Sequence, residues 1–283
     1  MTLLDAPDLL DNAARLASHP EFEAAVLAYS IGLLKLREAP RLVNMIVSTD
    51  VRWRVIGFLL YLDADRERYG HDGGATYGRL LETCMARNEA TPRAVKSVLA
   101  LLQFGGLVRV VTNKADRRVK FYKPTERMFG FVRQWMAYGT AALDILEPEM
   151  QRARHVADQR FVDAFSISGG RAHLEDPIPL ADRVPEPLSS LKHMLGSYSV
   201  IVAVLLAKLE NRPAPSQHAT AKRFGLSRSQ VGNVMSAGLT QELFVRDGST
   251  NVVPTAALLA SFRQWISIEL AFYAQHMRPP AVE

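Results

Sequence analysis

TPRAVKSVLALLQFGGLVRVVTNKADRRVKFYK, residues 91–123, is the stretch that decides the fold. Thr91 is a favourable N-cap and Pro92 suits the first position of a helix. Apolar residues then recur at helical spacing, which predicts a helix with one buried face, formed by Val95, Val98, Leu99 and Leu102. Gly105-Gly106 ends that helix, because glycine tolerates the left-handed backbone of a helix C-terminus. The segments LVRVVT and RVKFYK, separated by the turn NKADR, predict a β-hairpin with a basic tip.

Two helices are predicted before this stretch and a long one after it. VIGFLLYL at 55–62 is an apolar helix, TYGRLLETCMARN at 76–88 is amphipathic, and residues 126–146 form the long helix. The order helix, helix, helix, strand, strand resembles that of winged helix–turn–helix transcription regulators, the MarR-like branch most of all. The resemblance implies a bacterial regulator in which the helix after Thr91 reads DNA and the hairpin is the wing.

The C-terminal half contains the pattern of a second copy. The tripeptide RQW at 133–135 recurs 130 residues later at 263–265, each time after a Pro-Thr pair. Residues 91–95 correspond to SRSQV at 227–231, which lies 136 residues later, so the six-residue difference falls in the hairpin. ATAKRFGLSRSQVGNVMSAG at 219–238 is also close to the general bacterial helix–turn–helix pattern. We therefore predict a mainly α fold with small β-hairpin wings: two winged helix–turn–helix units in one chain, an internal duplication and pseudo-dimer, joined by long helices.

The predicted domain organisation has four parts. Residues 1–48 form an N-terminal helical segment, 49–147 the first winged unit with its long trailing helix, and 191–283 the second unit with a C-terminal helix. Residues 148–190 form a helix and then a connector, because Gly169-Gly170 and four prolines lie in its second half.

Positive charge is concentrated in the predicted reading element. The net charge is +5, and residues 91–127 hold nine basic and two acidic residues, so the rest of the chain is net acidic. This is the pattern of a DNA contact, with a solvated basic loop as the alternative. In the first unit the predicted DNA contacts are Thr91, Arg93, Lys96, Ser97, Lys114, Arg117, Arg118 and Lys120. In the second, less basic unit they are Ser227, Arg228, Ser229, Gln230, Asn233 and Arg246.

The function predicted from these residues is a sequence-specific regulator of transcription that binds double-stranded DNA through two reading helices and basic wings. The alternative is a winged-helix module that docks to an acidic protein. An enzyme is not expected, because the histidines lack metal-ligand spacing and no phosphate-binding loop occurs, so no cofactor or metal is predicted. The single cysteine, Cys84, is expected to be buried in a helix.

Aromatic residues on the helices after each wing have two interpretations. They are either core anchors or the lining of a pocket for a small aromatic effector, which MarR-like regulators often bind: Trp135, Tyr138, Trp265, Phe272 and Tyr273. The chain is expected to act as a monomeric pseudo-dimer, or as a homodimer through the apolar helix at 21–36.

Other features predict a cytoplasmic protein without bound metal. No apolar run reaches the length of a membrane span, and the N-terminus lacks a signal-peptide pattern. Asp63 and Asp65, which precede His71, are interpreted as a solvated helix end rather than a metal or acid–base site.

Overall fold

The computed structural model of the chain describes residues 8–38, 49–70, 73–113, 116–191, 194, 196–248 and 251–280. The fold is mainly helical (68%), with two antiparallel two-stranded sheets among the described residues, which confirms the predicted combination of helices and small hairpins. None of the helices in these ranges is long and apolar enough to cross a membrane.

The chain divides into two compact units, which we name after the hairpins they contain. The first-hairpin unit comprises residues Met45–Ala137, Arg154–Pro179 and His276–Glu283, and the second-hairpin unit comprises Met1–Asn44, Tyr138–Ala153 and Leu180–Gln275. The elements of the described residues are, in chain order, α1 (Leu9–Ala17), α2 (Phe22–Arg37), α3 (Asp50–Ala64), α4 (Arg66–Tyr69), α5 (Tyr77–Ala86), α6 (Pro92–Phe104), β1 (Val108–Thr112), β2 (Lys120–Pro124), α7 (Glu126–Leu146), α8 (Gln159–Glu175), α9 (Ser197–Leu209), α10 (Gln217–Phe224), α11 (Arg228–Thr240), β3 (Phe244–Asp247), β4 (Asn251–Pro254) and α12 (Ala256–His276).

Helix α6 forms as its sequence predicts. The Thr91 hydroxyl accepts the Ala94 amide at 3.2 Å, which caps the helix. The four apolar residues of its predicted buried face are 0–3% exposed. After α6, Gly106 adopts φ +66, a left-handed conformation that lets the chain turn from helix to strand. Strand β1 then pairs antiparallel with β2, Val108 facing Pro124.

The same construction occurs in the second-hairpin unit. Just as α3 packs on α5, α6 and β2, α9 packs on α10, α11 and β4. The amide of Thr125 donates to the Leu107 carbonyl at 2.9 Å, and that of Thr255 donates to the Leu243 carbonyl at 2.9 Å. Phe244 faces Pro254, so the second hairpin is six residues shorter than the first between its outermost paired residues. This confirms where the predicted length difference falls.

One part of the predicted connector is helical. We expected Gly169-Gly170 to break the chain, but α8 runs through both glycines to Glu175. Helix α8 packs on α3, and a Cβ on Gly170 would lie 2.6 Å from Cγ of Tyr61. The expectation was wrong because Gly170 serves the close approach of two helices rather than a turn.

The substitution Gly170→Ala is expected to lower the free energy of unfolding by about 1–3 kcal/mol, because the added methyl group overpacks the α3–α8 contact. Gly57→Ala is the matched control, since a Cβ at Gly57 in α3 meets no atom within 4 Å. The control should gain up to about 1 kcal/mol from helix propensity. Chemical denaturation of both variants measures the difference, and equal stabilities would contradict the packing role of Gly170.

Asp63 and Asp65 are not a solvated helix end, so that interpretation was wrong. They are only 8% and 1% exposed. Lys123 Nζ lies 2.7 Å from Oδ1 of Asp63, and Arg171 donates to both oxygens of Asp65 at 2.8–3.0 Å. The two partners come from β2 and α8, so these ion pairs fasten the end of α3 to the rest of its unit. His71 lies outside the described residues.

The first long helix of the second winged unit predicted at 191–283 is the apolar helix α9. Residues Leu188–Leu191 form a short 3-10 turn, and α9 starts at Ser197, after Gly196 with φ +78. A Cβ on Gly196 would lie 2.7 Å from Leu226, so the glycine combines a left-handed turn with a close approach. In the N-terminal segment α1 and α2 form as predicted, whereas residues 39–48 lie outside the described part of the chain.

Candidate nucleic-acid interface

The exposed face of α6 carries the side chains predicted to read DNA. Thr91, Arg93, Lys96 and Ser97 are all exposed. The Thr91 hydroxyl is used as the helix cap, and the Ser97 hydroxyl donates to the Arg93 carbonyl at 2.8 Å. Arg93 and Lys96 therefore have the side chains best placed to contact a partner.

The first hairpin extends this cationic surface. Its predicted contacts Arg117, Arg118 and Lys120 are exposed, whereas Lys114 lies outside the described residues. The tip is ordered by Asp116, whose carboxylate accepts the Arg118 amide at 2.9 Å. Within the part of the chain that the structure describes, six exposed cations on α6 and the hairpin have no carboxylate within salt-bridge distance: Arg93, Lys96, Arg109, Arg117, Arg118 and Lys120.

Two other basic residues of this stretch have structural roles. Lys123 forms the buried ion pair with Asp63 described above. Arg127, at the start of α7, donates to the Gly105 carbonyl at 2.8 Å and so holds the end of α6. Counting basic residues along the sequence did not separate these two from the six cations that remain unpaired.

A cleft of about 440 Å³ lies where α5, α6 and the first hairpin meet. Its cations are Lys96, Arg118 and Lys120, and Lys96 Nζ lies 5.5 Å from the centroid of the Tyr77 ring. The sequence analysis did not single out the remaining lining residues: Thr76, Tyr77, Gly78, Val119 and Tyr122. A long-range contact brings the start of α5 beside the hairpin, because the Tyr122 amide donates to the Ala75 carbonyl at 2.8 Å. No local signal in the sequence marks that contact.

Helix α11, the second predicted reading helix, uses part of its predicted contact set for its own cap. Ser227 and Gln230 form a reciprocal capping box, in which Gln230 Oε1 accepts the Ser227 amide at 2.8 Å. The Ser227 and Ser229 hydroxyls lie 2.9 Å apart, and Arg228 donates to Nδ1 of His218 at 2.8 Å. Asn233 on α11 and Arg246 on β3 are exposed. More of the predicted contact side chains are therefore engaged in hydrogen bonds within the protein on α11 than on α6.

The aromatic residues considered for an effector pocket take part in packing within their units. Trp135 contacts Trp53 and Phe165, with ring centroids 5.6 Å apart in both pairs. Tyr273 is 3% exposed and its hydroxyl lies 3.1 Å from that of Tyr29. These contacts are typical of core residues. The small aromatic effector stays a prediction.

Two buried titratable groups stand out in electrostatic terms. Burial raises the pKa of the Cys84 thiol to about 12, so the thiolate is scarce at neutral pH. Burial also raises the pKa of Glu269, in the second-hairpin unit, to about 7, although the Tyr273 hydroxyl donates to its Oε1 at 3.0 Å. No pattern in the sequence marks Glu269, because its environment comes from distant helices.

No group of three His, Cys, Asp or Glu side chains in the described ranges is arranged to hold a metal ion. The candidate contact residues are thus cations and hydrogen-bonding side chains, which lie on one helix and one hairpin of each unit. Comparison of the chain with protein-family models, with curated proteins and with solved structures found no match.

Proposed function

We propose that this protein is a sequence-specific, double-stranded DNA-binding regulator of transcription, built from two winged helix–turn–helix units that arose by internal duplication. The duplication is supported by the repeated packing of the three helices and hairpin and by the equivalent Thr125 and Thr255 hydrogen bonds. In each unit the third helix, α6 or α11, is the reading helix, and the hairpin is the wing.

The observation that carries the proposal is the set of six unpaired cations on α6 and the first hairpin. Like charges held close together repel one another, and in this unit the carboxylates of Asp63 and Asp65 are paired inward. A polyanion compensates such a surface, and the release of its counterions favours the complex. Duplex DNA supplies both the charge and a groove that admits α6.

Different residues in the first unit would perform positioning and base reading. Arg117, Arg118 and Lys120 on the wing contact phosphate oxygens, which sets the register without reading sequence. Arg93 projects from the first turn of α6, where a reading helix meets base edges. Its guanidinium is a donor suited to the O6 and N7 atoms of guanine.

The second unit would read bases but hold the backbone weakly. Asn233 is suited to a bidentate contact with adenine, whereas the shorter hairpin offers Arg246 as its exposed cation among the described residues. We therefore expect a binding site with two unlike halves, an imperfect inverted repeat or an asymmetric pair.

Selection of bound duplexes from a randomised library tests the proposal. Wild-type protein is expected to enrich a site with two dissimilar halves. Arg93→Ala should relax the base preference in one half only and Asn233→Ala in the other, because each removes one base contact worth about 1–3 kcal/mol of discrimination. A library without enrichment after repeated rounds would contradict sequence-specific binding.

A second candidate function, docking to an acidic protein, is favoured by one observation. Phe104, the last residue of α6, is 82% exposed and directly precedes the cationic hairpin. An exposed apolar side chain on the helix that also carries the unpaired cations Arg93 and Lys96 suits an acidic protein partner. Phe104→Ala separates the two functions, because it should leave duplex binding unchanged if DNA is the ligand. A wild-type protein that binds no duplex at low salt would favour the protein partner.

A further inference from the structure

We propose that the cleft between α5, α6 and the first hairpin is a binding site for one phosphate group, and that a backbone phosphate of bound DNA occupies it. This inference rests on the proposed function and deepens it. Within the cationic surface, residues of α5, α6 and the first hairpin would together contact a single phosphate group.

The charge of the cleft lining supports the proposal. Lys96 comes from α6, and Arg118 and Lys120 come from the hairpin, so cations face the same space from two elements. All lining residues are neutral or basic, and none of these three cations has a salt bridge to a described residue. Three converging cations without a carboxylate create a strongly positive potential, which selects a multiply charged or polymeric anion.

The third wall supplies backbone donors. Thr76 caps α5 by accepting the Arg79 amide at 3.3 Å, and the amide of Gly78, in the first turn, has no partner inside the helix. A Cβ on Gly78 would meet no atom within 4 Å, so the cleft is open at this residue and a phosphate oxygen can approach the backbone. The helix N-terminus adds to the attraction of an anion, whereas the lysine and arginine side chains define the site.

The dimensions and exposure of the cleft favour a phosphate carried by a polymer. Its volume of about 440 Å³ accommodates a phosphodiester with parts of both flanking sugars. The side chains of Lys96, Arg118 and Lys120 are exposed, so a continuous strand can cross the cleft. Free inorganic phosphate would fill only a small part of the space.

The second-hairpin unit lacks the corresponding cations. Lys96 is the fifth residue of α6, and the fifth residue of α11 is Gly232. In the first unit the open Gly78 follows the N-cap residue Thr76 by two positions. The equivalent position of the second unit, two after the N-cap residue Ser216, is His218, which contacts Arg228. Among the described residues, the phosphate site therefore occurs in the first unit only. This agrees with the weaker contacts to the DNA backbone that we expect of the second unit.

Placing a negative charge in the cleft tests the site without removing a packed side chain. Gly78→Glu is expected to lower duplex affinity at least about tenfold near 100 mM salt and to reduce the salt slope by about 1, the value of one phosphate contact. Glutamate favours a helix more than glycine does, and it suits the first turn, so the variant should fold. Gly57→Glu is the matched control, with the same charge change on α3 at a position where a Cβ also meets no atom within 4 Å.

Fluorescence anisotropy of the full-length variants on a labelled duplex measures both quantities, and circular dichroism checks the fold. If Gly78→Glu and Gly57→Glu bind alike, the cleft site is overturned while DNA binding by the wild type still stands. A coupling test uses Lys96→Gln and Arg118→Gln separately and together. Two cations that share one phosphate give a double variant much less impaired than the product of the single effects, and strictly multiplicative effects would overturn a shared group.

Two further arms distinguish the source of the phosphate. Duplexes with one neutral methylphosphonate linkage at successive positions should show one position at which wild type loses affinity and Gly78→Glu does not. In the second arm, calorimetry measures inorganic pyrophosphate binding to both proteins. The cleft would belong to a free phosphorylated ligand if Gly78→Glu abolished pyrophosphate binding and no methylphosphonate position distinguished the two proteins. That result would overturn the assignment of the cleft to a DNA phosphate. If the wild type binds neither duplex nor pyrophosphate, both the proposed function and the cleft site fail.

Discussion

Replacing Arg117 and Arg118 with alanine is expected to weaken the binding of duplex DNA of every sequence, on the order of tenfold, and to lower the salt slope by about 2, because two proposed phosphate contacts are lost. Both residues are exposed on the first hairpin, and neither has a salt bridge to a described residue. The folded state therefore loses little when they are removed. Base preference should stay the same, since phosphate contacts set position and not sequence.

Lys35→Ala/Lys208→Ala is the control for this change, because it removes the same net charge from exposed positions on α2 and α9, in the second-hairpin unit. Anisotropy over a salt series compares the two double variants with wild type. Equal affinities and salt slopes for the two double variants would show that net charge alone determines binding. That result would contradict a specific DNA contact by the first hairpin.

Glu269→Gln is expected to remove a pH dependence of stability. Burial raises the pKa of Glu269 from 4.5 to about 7, so between these pH values the folded chain retains a proton that the unfolded chain has released. The free energy of unfolding of the wild type therefore falls as pH rises through this window, by about 3 kcal/mol, and the loss persists above pH 7. Glutamine has no proton to release, so the variant should lack this fall.

The groups around Glu269 come from three helices. Tyr273 lies on the same helix, α12, and donates to the carboxylate, while Tyr29 and Arg37 belong to α2. Tyr198, on α9, acts on Tyr273. Burial of the carboxylate is the main cause of its raised pKa, and the other oxygen, Oε2, is buried without a hydrogen-bond partner among the described residues that would offset it.

Urea denaturation between pH 4.5 and 8 measures the difference in stability between wild type and Glu269→Gln at each pH. The difference should shift in favour of the variant by about 3 kcal/mol across that range. Glu242→Gln, which changes an exposed carboxylate, should give a difference that does not vary with pH. A constant difference for Glu269→Gln as well would contradict its raised pKa.

The features that the sequence predicts well are local ones. The cap at Thr91, the apolar spacing of α6 and the turn at Gly105-Gly106 each depend on neighbouring residues, and all three occur as expected. The hairpins follow from alternating residues on either side of a turn, and the six-residue difference between them follows from the spacing of repeated motifs.

The features that the sequence analysis misjudged depend on distant residues. Asp65 can be buried because it is paired with Arg171, which lies 106 residues away in the sequence. Gly170 lies within a helix, where its missing side chain leaves room for Tyr61. Nothing near either residue in the sequence indicates those contacts.

The candidate site shows the same division between local and distant effects. Sequence spacing identified the exposed residues of α6, α11 and the hairpin tip. It did not reveal that Lys123 and Arg127 are engaged in structure, that Gln230 caps α11, or that Tyr77 and Gly78 join Lys96 in one cleft. Each of these depends on which partner the fold brings within hydrogen-bonding distance.

Binding of the full-length wild-type protein to fluorescent duplexes of random sequence, over a salt series, tests the central claim most directly. We expect binding at low salt that falls steeply as salt rises, with a log–log slope of several units, about one for each phosphate contacted by the unpaired cations. No binding at low salt, or an affinity that does not change with salt, would contradict the assignment of α6 and the first hairpin to DNA.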